Sequence, residues 1–369
     1  MWKYISFPDF WKILKDYLLK RFLSNLYKNY CSQGWILCCY PPTIFNVAMP
    51  DLSVCYFVAS FRSEDQFVIH GQTPPSSIYK YISFTIYDEN GLPFSKLNDT
   101  QVWENDTENS TYKIACPEDV SKPSHGKYYC LVMRWYRSHN TPIEVMNLPT
   151  IIDRKTGRPY PMHPWETIRE NSMELTNQFI QYIKKRKIIP LRECMPFLFP
   201  YYAGLNGLFP NSDAKYMIAS MGNSVNCAVV EGKLPNPIGN QYNIRFIGIM
   251  VCNYKTTETD SSVSDETLPF DNYTIYISYS ENIAKRYGYS KEENHHRLLL
   301  IHPDNKDPVV VYREVRVDGQ GLARMTSNSV EEAERILGEY FPSFRCMSTP
   351  RSKTQKKKKS KSNVLFDFR

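Results

Sequence analysis

The chain carries the same phrase twice. Around residue 55 it reads CYFVASFRSEDQFVIHGQTP, and around residue 215 it reads KYMIASMGNSVNCAVVEGKLP. Tyr56, Ala59 and Ser60 correspond to Tyr216, Ala219 and Ser220 at an offset of 160 (216 − 56). Gly71 and Pro74 correspond to Gly232 and Pro235 at an offset of 161 (232 − 71). The single extra residue falls in a turn signal, where insertions do least damage. A repeat of this kind constrains architecture before any other feature does. It calls for two related units, and 369 residues suffice for two cores. Duplication alone specifies no reaction.

Each copy opens on strand signals. Residues 54–60 (VCYFVAS) and 66–70 (QFVIH) flank a polar turn at Ser63, Glu64 and Asp65. Residues 79–87 alternate into the turn Asp88-Glu89-Asn90-Gly91, and residues 112–115 and 128–136 complete the first set. The second set begins at Tyr216 and continues through 227–230, 244–252, 273–279, 298–301 and 309–317. Between them Lys255–Glu266 (KTTETDSSVSDE) reads as an exposed, mobile loop. Short strands at this rhythm predict a mainly β protein of two tandem antiparallel β-sandwich domains, jelly-roll-like, with connecting and flanking helices.

Three helices frame the sandwiches. The first starts from a capping-box-like Ser6 and Asp9, with Phe10, Ile13, Leu14, Tyr17, Leu18, Phe22 and Leu26 at helical spacing and lysines on the other face. The second runs from Pro164 to about Lys187 with Trp165, Ile168, Leu175, Phe179 and Ile183 on one side. The third starts at Ser329, with Glu332 three residues on, and stops at Pro342. The organisation expected is a helix and lead-in (1–44), a first sandwich (45–163), a helical connector (164–206), a second sandwich with its closing helix (207–345) and a basic disordered tail (346–369).

Charge and cysteine usage narrow the function classes. Arg351–Lys361 holds seven of the basic residues and no acid, so removing it from the net charge of +7 leaves a formally neutral body. That body lacks the basic excess of a dedicated nucleic-acid-binding fold. The ten cysteines form no C-x-x-C pair, which argues against zinc-ribbon and thioredoxin-like chemistry. With no export signal legible, the expectation is reduced thiols in a cytosol-like compartment. No apolar run reaches the length of a membrane-spanning helix. There is no G-x-S-x-G, no phosphate-cradling glycine loop and no cofactor motif, so no cofactor is expected.

Several phrases, taken in order, carry a resemblance. They are Gly207-Leu-Phe-Pro-Asn-Ser-Asp-Ala-Lys-Tyr216, Gly232-Lys-Leu-Pro235, Tyr81-Ile-Ser-Phe-Thr-Ile-Tyr-Asp88, the strands around Arg134 and Arg313 (LVMRWY, VVVYREV), and Glu331 through Pro342. Together, over about residues 45–345, they resemble a bacterial family of tandem jelly-roll-like domains of unknown function, with related sequences in large DNA viruses. The resemblance implies a fold and transfers no catalytic set. Where the bacterial relatives have Trp-rich phrases, this chain has Arg245-Phe-Ile-Gly-Ile-Met250.

The candidate site residues are few. Arg134 and Arg313 stand in otherwise apolar strands at matching places and read either as an anion clamp inside each sandwich or as solvent-facing or acid-paired arginines. His295, His296 and His302, with Glu292, Glu293 and Asp304 nearby, form the best metal candidate, although they lack the His-x-His spacing that puts two imidazoles on one strand face. Lys356, Lys357, Lys358 and Lys359 would contact polyanions. The N-terminal helix would contact a membrane surface or a protein partner. The reading that follows is a structural or binding protein, self-associating or bound to protein partners, and in one version a virion component of a large DNA virus. The alternatives are an enzyme or small-ligand binder with a pocket inside one sandwich, and a peripheral membrane protein.

Overall fold

Along Tyr128–Arg137 the side chains alternate between two buried surroundings. Tyr129, Leu131, Met133 and Trp135 enter one apolar core, while Tyr136 enters another. A strand covered on both faces belongs to the middle of a stack of sheets. The computed structural model describes residues 24–39, 52–75, 77–102, 111–117, 127–138, 147–184, 193–198, 213–234, 244–256, 258–269, 271–316, 325 and 329–347. The first half contains α1 (Ser24–Tyr30), β1 (Leu37–Cys39), β2 (Val54–Arg62), β3 (Phe67–Gln72), β4 (Tyr79–Asp88), β5 (Pro93–Asn98), α2 (Asp99–Val102), β6 (Thr111–Ala115), β7 (Tyr128–Arg137), β8 (Thr150–Asp153) and α3 (Trp165–Lys184). The second contains β9 (Met195–Leu198), β10 (Ala214–Ser220), β11 (Cys227–Lys233), β12 (Ile244–Asn253), β13 (Thr259–Ser264), β14 (Asn272–Ser278), α4 (Glu281–Lys285), β15 (His296–Leu300), β16 (Pro308–Arg316), α5 (Val330–Leu337) and β17 (Ser343–Cys346).

These strands make two sandwiches. In the first, an inner sheet of order β1-β2-β7-β4-β5 packs on an outer sheet β6-β3-β8. In the second, the inner sheet is β13-β12-β16-β10-β9 and the outer sheet β15-β14-β11-β17. The first core is rich in Phe57, Phe61, Phe67 and Trp135, with Ile168 of α3 closing it. The second is built from Ile249, Ile275, Ile277 and Tyr312, with Ala333 and Leu337 of α5 against it. Both are mainly antiparallel, as expected, and β14–β15 is a parallel pair.

The sequence repeat is a structural repeat. Tyr56 lies opposite Arg134 across the β2–β7 ladder, and Tyr216 lies opposite Arg313 across β10–β16. Gly71 faces Tyr112, and Gly232 faces Tyr273. A Cβ on Gly71 would sit 2.2 Å from Tyr112 Cζ, and one on Gly232 would sit 2.3 Å from Tyr273 Oη. Each glycine therefore vacates the space that a buried cross-strand tyrosine ring occupies.

Helix signals at the end of the chain are realised. The Ser329 side chain accepts a hydrogen bond from the Glu332 amide and caps α5. In α3, Trp165 and Ile168 pack on the first core, while the side chains of Leu175, Phe179 and Ile183 lie outside the described residues. Of the N-terminal helix, Ser24–Tyr30 is described, and Ser6 and Asp9 lie outside the described residues, as do Lys356–Lys359.

Two expectations are corrected. The segment read as a mobile loop contains β13, a Ser- and Thr-rich edge strand paired with β12. Its polar composition reflects an edge position, with its middle residues half-buried, rather than a lack of structure. The second concerns the thiols. Cys194 and Cys346, 152 residues apart, form a disulfide that ties the approach to β9, at the edge of the second inner sheet, to β17, at the edge of its outer sheet. Such a pairing leaves no spacing signature in a sequence. Among the described residues Cys31, Cys55, Cys116, Cys130, Cys227 and Cys252 are free thiols.

Candidate functional site

The two inner sheets meet face to face where β2 and β10 begin. Val54, Tyr81 and Tyr136 of the first sandwich and Ala214, Phe246 and Val315 of the second share one apolar cluster. Tyr136 packs edge-on against Phe246 with ring centroids 4.9 Å apart. Ion pairs surround this patch. Arg245 bonds the Asp99 carboxylate, and Lys80 lies 2.5 Å from Asp265 and 3.6 Å from Glu266. Asp213, just ahead of β10, takes Lys96, the Tyr81 hydroxyl at 2.7 Å and the Asn98 amide at 3.2 Å.

These pairs are reciprocal. Lys80 and Arg245 are each the second residue of equivalent strands, 165 positions apart (245 − 80), and Asp99 and Asp265 each follow the next strand, 166 apart (265 − 99). Each copy supplies a cation to the other's acid. That is the pattern of an isologous twofold interface, here built within one chain. Burial pushes the Asp99 carboxyl up to about 6 against the opposing pull of Arg245, and pushes Asp265 up against that of Lys80. Desolvation outweighs attraction at both.

Arg134 and Arg313 lie in the same layer. Both are buried, and both project from the face opposite their own sandwich core. The Arg134 guanidinium donates to Thr85 Oγ1 at 3.1 Å and Tyr87 Oη at 2.6 Å. That of Arg313 reaches across the interface to Tyr56 Oη at 3.0 Å and stacks over Tyr216, 4.8 Å from the ring centroid. The expected clamp inside each sandwich is therefore replaced by one shared layer between the two. Tyr136 and Ser83 bring buried hydroxyls into it that have no hydrogen-bond partner. Burial raises the Tyr87 and Tyr136 phenols above their ordinary pKa, so both remain protonated at neutral pH.

The histidine candidates do not converge. His295 and His296 sit in contact at the start of β15, ring centroids 4.4 Å apart, and His302 follows its far end, about 20 Å of extended chain away. His296 packs edge-on to Tyr276 at 5.1 Å, and its Nδ1 accepts the Ser290 amide at 3.1 Å. His295 lies 3.7 Å from Glu293, and His302 lies 3.9 Å from Asp304. Among the described residues no group of three or more His, Cys, Asp or Glu is placed to hold a metal ion. Proximity in sequence does not bring His302 to His295 and His296, because the intervening strand is extended.

A different buried polar group lies in the second sandwich. By alternation with Arg313, Glu314 and Arg316 turn toward the core, where both are buried and 3.9 Å apart. The position equivalent to Glu314 in the first sandwich, 179 residues earlier, is the core residue Trp135.

Sequence reasoning identified the two arginines and missed Lys80, Lys96, Asp99, Asp213, Arg245 and Asp265. A signal for four of these existed in the repeat offset itself, because Lys80 and Asp99 recur as Arg245 and Asp265 with nearly the spacing of the repeated phrases.

The site and fold together define a mainly β protein in which two duplicated sandwiches are joined through a buried, reciprocal polar layer. Its fold is similar to that of an uncharacterised protein from Burkholderia cenocepacia, at 11% identity and TM-score 0.52 over 92% of this chain and 88% of that one. A protein from Vibrio parahaemolyticus aligns over 93% of this chain and all of its own, at 13% identity and TM-score 0.43. No protein-family model and no curated sequence matches the chain. Among the described residues no helix is long and apolar enough to cross a membrane.

Proposed function

We propose that the protein is a structural or binding component whose two sandwiches act as one rigid body. The observation that carries this reading is the reciprocal layer. Arg313, through Tyr56, and the two reciprocal ion pairs Arg245–Asp99 and Lys80–Asp265 cross the interface and hold the two sandwiches together, with the outer sheets turned to opposite sides. Such a body is a bivalent spacer, suited to lateral contacts with further copies or with other proteins. The basic segment 351–361 supplies a polyanion contact. Membership of an assembled particle of a large DNA virus is the specific form of this role that the sequence resemblance favours. Sedimentation velocity over a range of concentrations tests self-association, and immunodetection in purified particles tests the particle role. A monomer at all concentrations that is absent from particles and captures no partner overturns the proposal.

A second reading rests on Glu314 and Arg316. A carboxylate and a guanidinium turned into one sandwich, where the other has Trp135, are the polar groups an interior small-molecule site needs. A thermal-shift screen of charged metabolites, repeated on Glu314→Gln, reads it directly. Stabilisation that the variant loses favours this reading over the structural one.

A further inference from the structure

We propose that the Cys194–Cys346 disulfide is a redox-operated clasp, opened by a dithiol reductant and closed again by oxidation, that sets whether one edge of the second sandwich is shut. The bond joins the approach to β9, the outermost strand of the inner sheet, to β17, the outermost strand of the outer sheet. Its Cys194 end is exposed and its Cys346 end half-buried, so a reductant reaches it without unfolding the chain. Exposed disulfides are the labile ones. Few other bonds hold β9. It pairs with β10 at two register positions, Leu198 with Ile218 and Met195 with Ser220, with an irregularity between them. Behind it Phe197, 2% exposed, packs edge-on against Phe344 of β17 at 5.8 Å and against Tyr312 at 6.3 Å. Opening the clasp therefore loosens β9 and uncovers this aromatic contact before it disturbs the centre of either sheet.

The first sandwich closes the same edge without a disulfide. Asp153 stands where the second has Cys346: it pairs with Phe67 as Cys346 pairs with Ala228, at the repeat offset of 161 (228 − 67). There Trp35, buried ahead of β1, donates its indole N–H to the Pro149 carbonyl ahead of β8 at 2.8 Å. One copy is thus closed by packing and a hydrogen bond, the other by a bond that a reductant can break. The attacking thiol comes from outside the chain. Among the free thiols described, Cys55, Cys116, Cys130, Cys227 and Cys252 are buried, and Cys31 lies in the first sandwich, bridged to Ser60 of β2. Burial pushes the Cys55 and Cys130 thiols up to about 12 and Cys227 up to about 11, so these three supply almost no thiolate at neutral pH. A thiolate of the dithiol attacks the exposed Cys194 Sγ, the S–S bond breaks, and Cys346 leaves as a thiolate that takes up a proton. The Met221 carbonyl, 3.5 Å from Cys346 Sγ, accepts the hydrogen bond of the new thiol. The second thiol of the reductant then displaces Cys194 from the mixed disulfide. The chain gains two electrons and two protons, and the dithiol becomes a disulfide.

The test uses the native full chain and dithiothreitol. Without denaturant, the reductant followed by an alkylating agent is expected to label Cys194 and Cys346 ahead of the buried cysteines, as read by peptide mass spectrometry. The reduced chain is expected to keep a cooperative melting transition. Hydrogen–deuterium exchange of the β9 and β17 amides is expected to speed up by about tenfold or more, with β12 and β16 unchanged. Oxidised dithiothreitol is expected to restore slow exchange. The Cys194→Ser, Cys346→Ser double variant is expected to exchange fast at β9 and β17 whether or not reductant is present, which separates the clasp from any general effect of the reagent. Labelling of these two cysteines only after unfolding in urea, exchange at β9 and β17 that is equal in the two redox states, or loss of cooperative melting on reduction each overturns the proposal. The first outcome makes the bond an inaccessible staple, the second shows that it holds nothing shut, and the third shows that the fold cannot survive its opening.

Discussion

Replacing Asp99 by Asn changes how the stability of this protein depends on pH, with a sign fixed by the structure. Asp99 is 1% exposed and bonded to Arg245, yet burial lifts its pKa from 3.8 to about 6. At pH 5 the folded chain therefore keeps a proton on Asp99 that the unfolded chain has lost. Folding takes up a proton in that window, so this group's contribution to stability falls as pH rises from about 4 to about 6 and is level outside it. The shift of about two pKa units corresponds to about 3 kcal/mol. The side-chain amide of the Asp99→Asn variant does not titrate, which removes this slope. Urea unfolding of both proteins at pH 4.5, 5.5, 6.5 and 7.5 measures the difference. Relative to Asp99→Asn, the parent is expected to lose about 2 kcal/mol between the lowest and highest pH. A difference that is flat with pH, or one that favours the parent as pH rises, refutes the claim that desolvation dominates at this ion pair.

Three further outcomes follow from the structure. Reducing the Cys194–Cys346 disulfide, or replacing Cys346 by Ser, opens a link across 152 residues, worth about 5 kcal/mol by chain entropy and in practice about 2–5 kcal/mol; equal denaturation midpoints for the parent with and without reductant contradict this. Gly232→Ala places a methyl group 2.3 Å from Tyr273 Oη and is expected to cost about 1–3 kcal/mol, with Gly71→Ala behaving alike against Tyr112; unchanged melting temperatures refute the ring-over-glycine packing. Deleting residues 351–362 is expected to abolish any binding to nucleic acid or heparin, and binding by the full chain should weaken steeply with salt; salt-independent binding that survives the deletion excludes the tail as the contact.

The sequence made the strands and the duplication legible because both depend on local pattern. Period-two alternation marks β7 and β16 however they are packed, and the Gly71/Gly232 match survives because each glycine answers to a tyrosine on a neighbouring strand. The layer between the sandwiches was not legible in the same way. Arg134 and Arg313 stood out as charges in apolar strands, but alternation says only that they leave one core and not that a second sandwich receives them. Lys80, Asp99, Arg245 and Asp265 look like ordinary surface charges, since the partner of each lies in the other copy, at sequence separations of 146 and 185. The disulfide was hidden for the same reason. The histidines show the converse: His295, His296 and His302 are near in sequence, yet among the described residues they gather no group of three metal-binding side chains.

The central claim is that the two sandwiches bind each other through the arginine layer, and the contact between Tyr56 and Arg313 tests it most directly. A double-mutant cycle of Tyr56→Phe and Arg313→Met, read by equilibrium unfolding, isolates that contact from the cost of each change alone. A hydrogen bond from a buried guanidinium to a phenol across the interface predicts a coupling of about 1.5–3 kcal/mol. Strictly additive effects would contradict the interface.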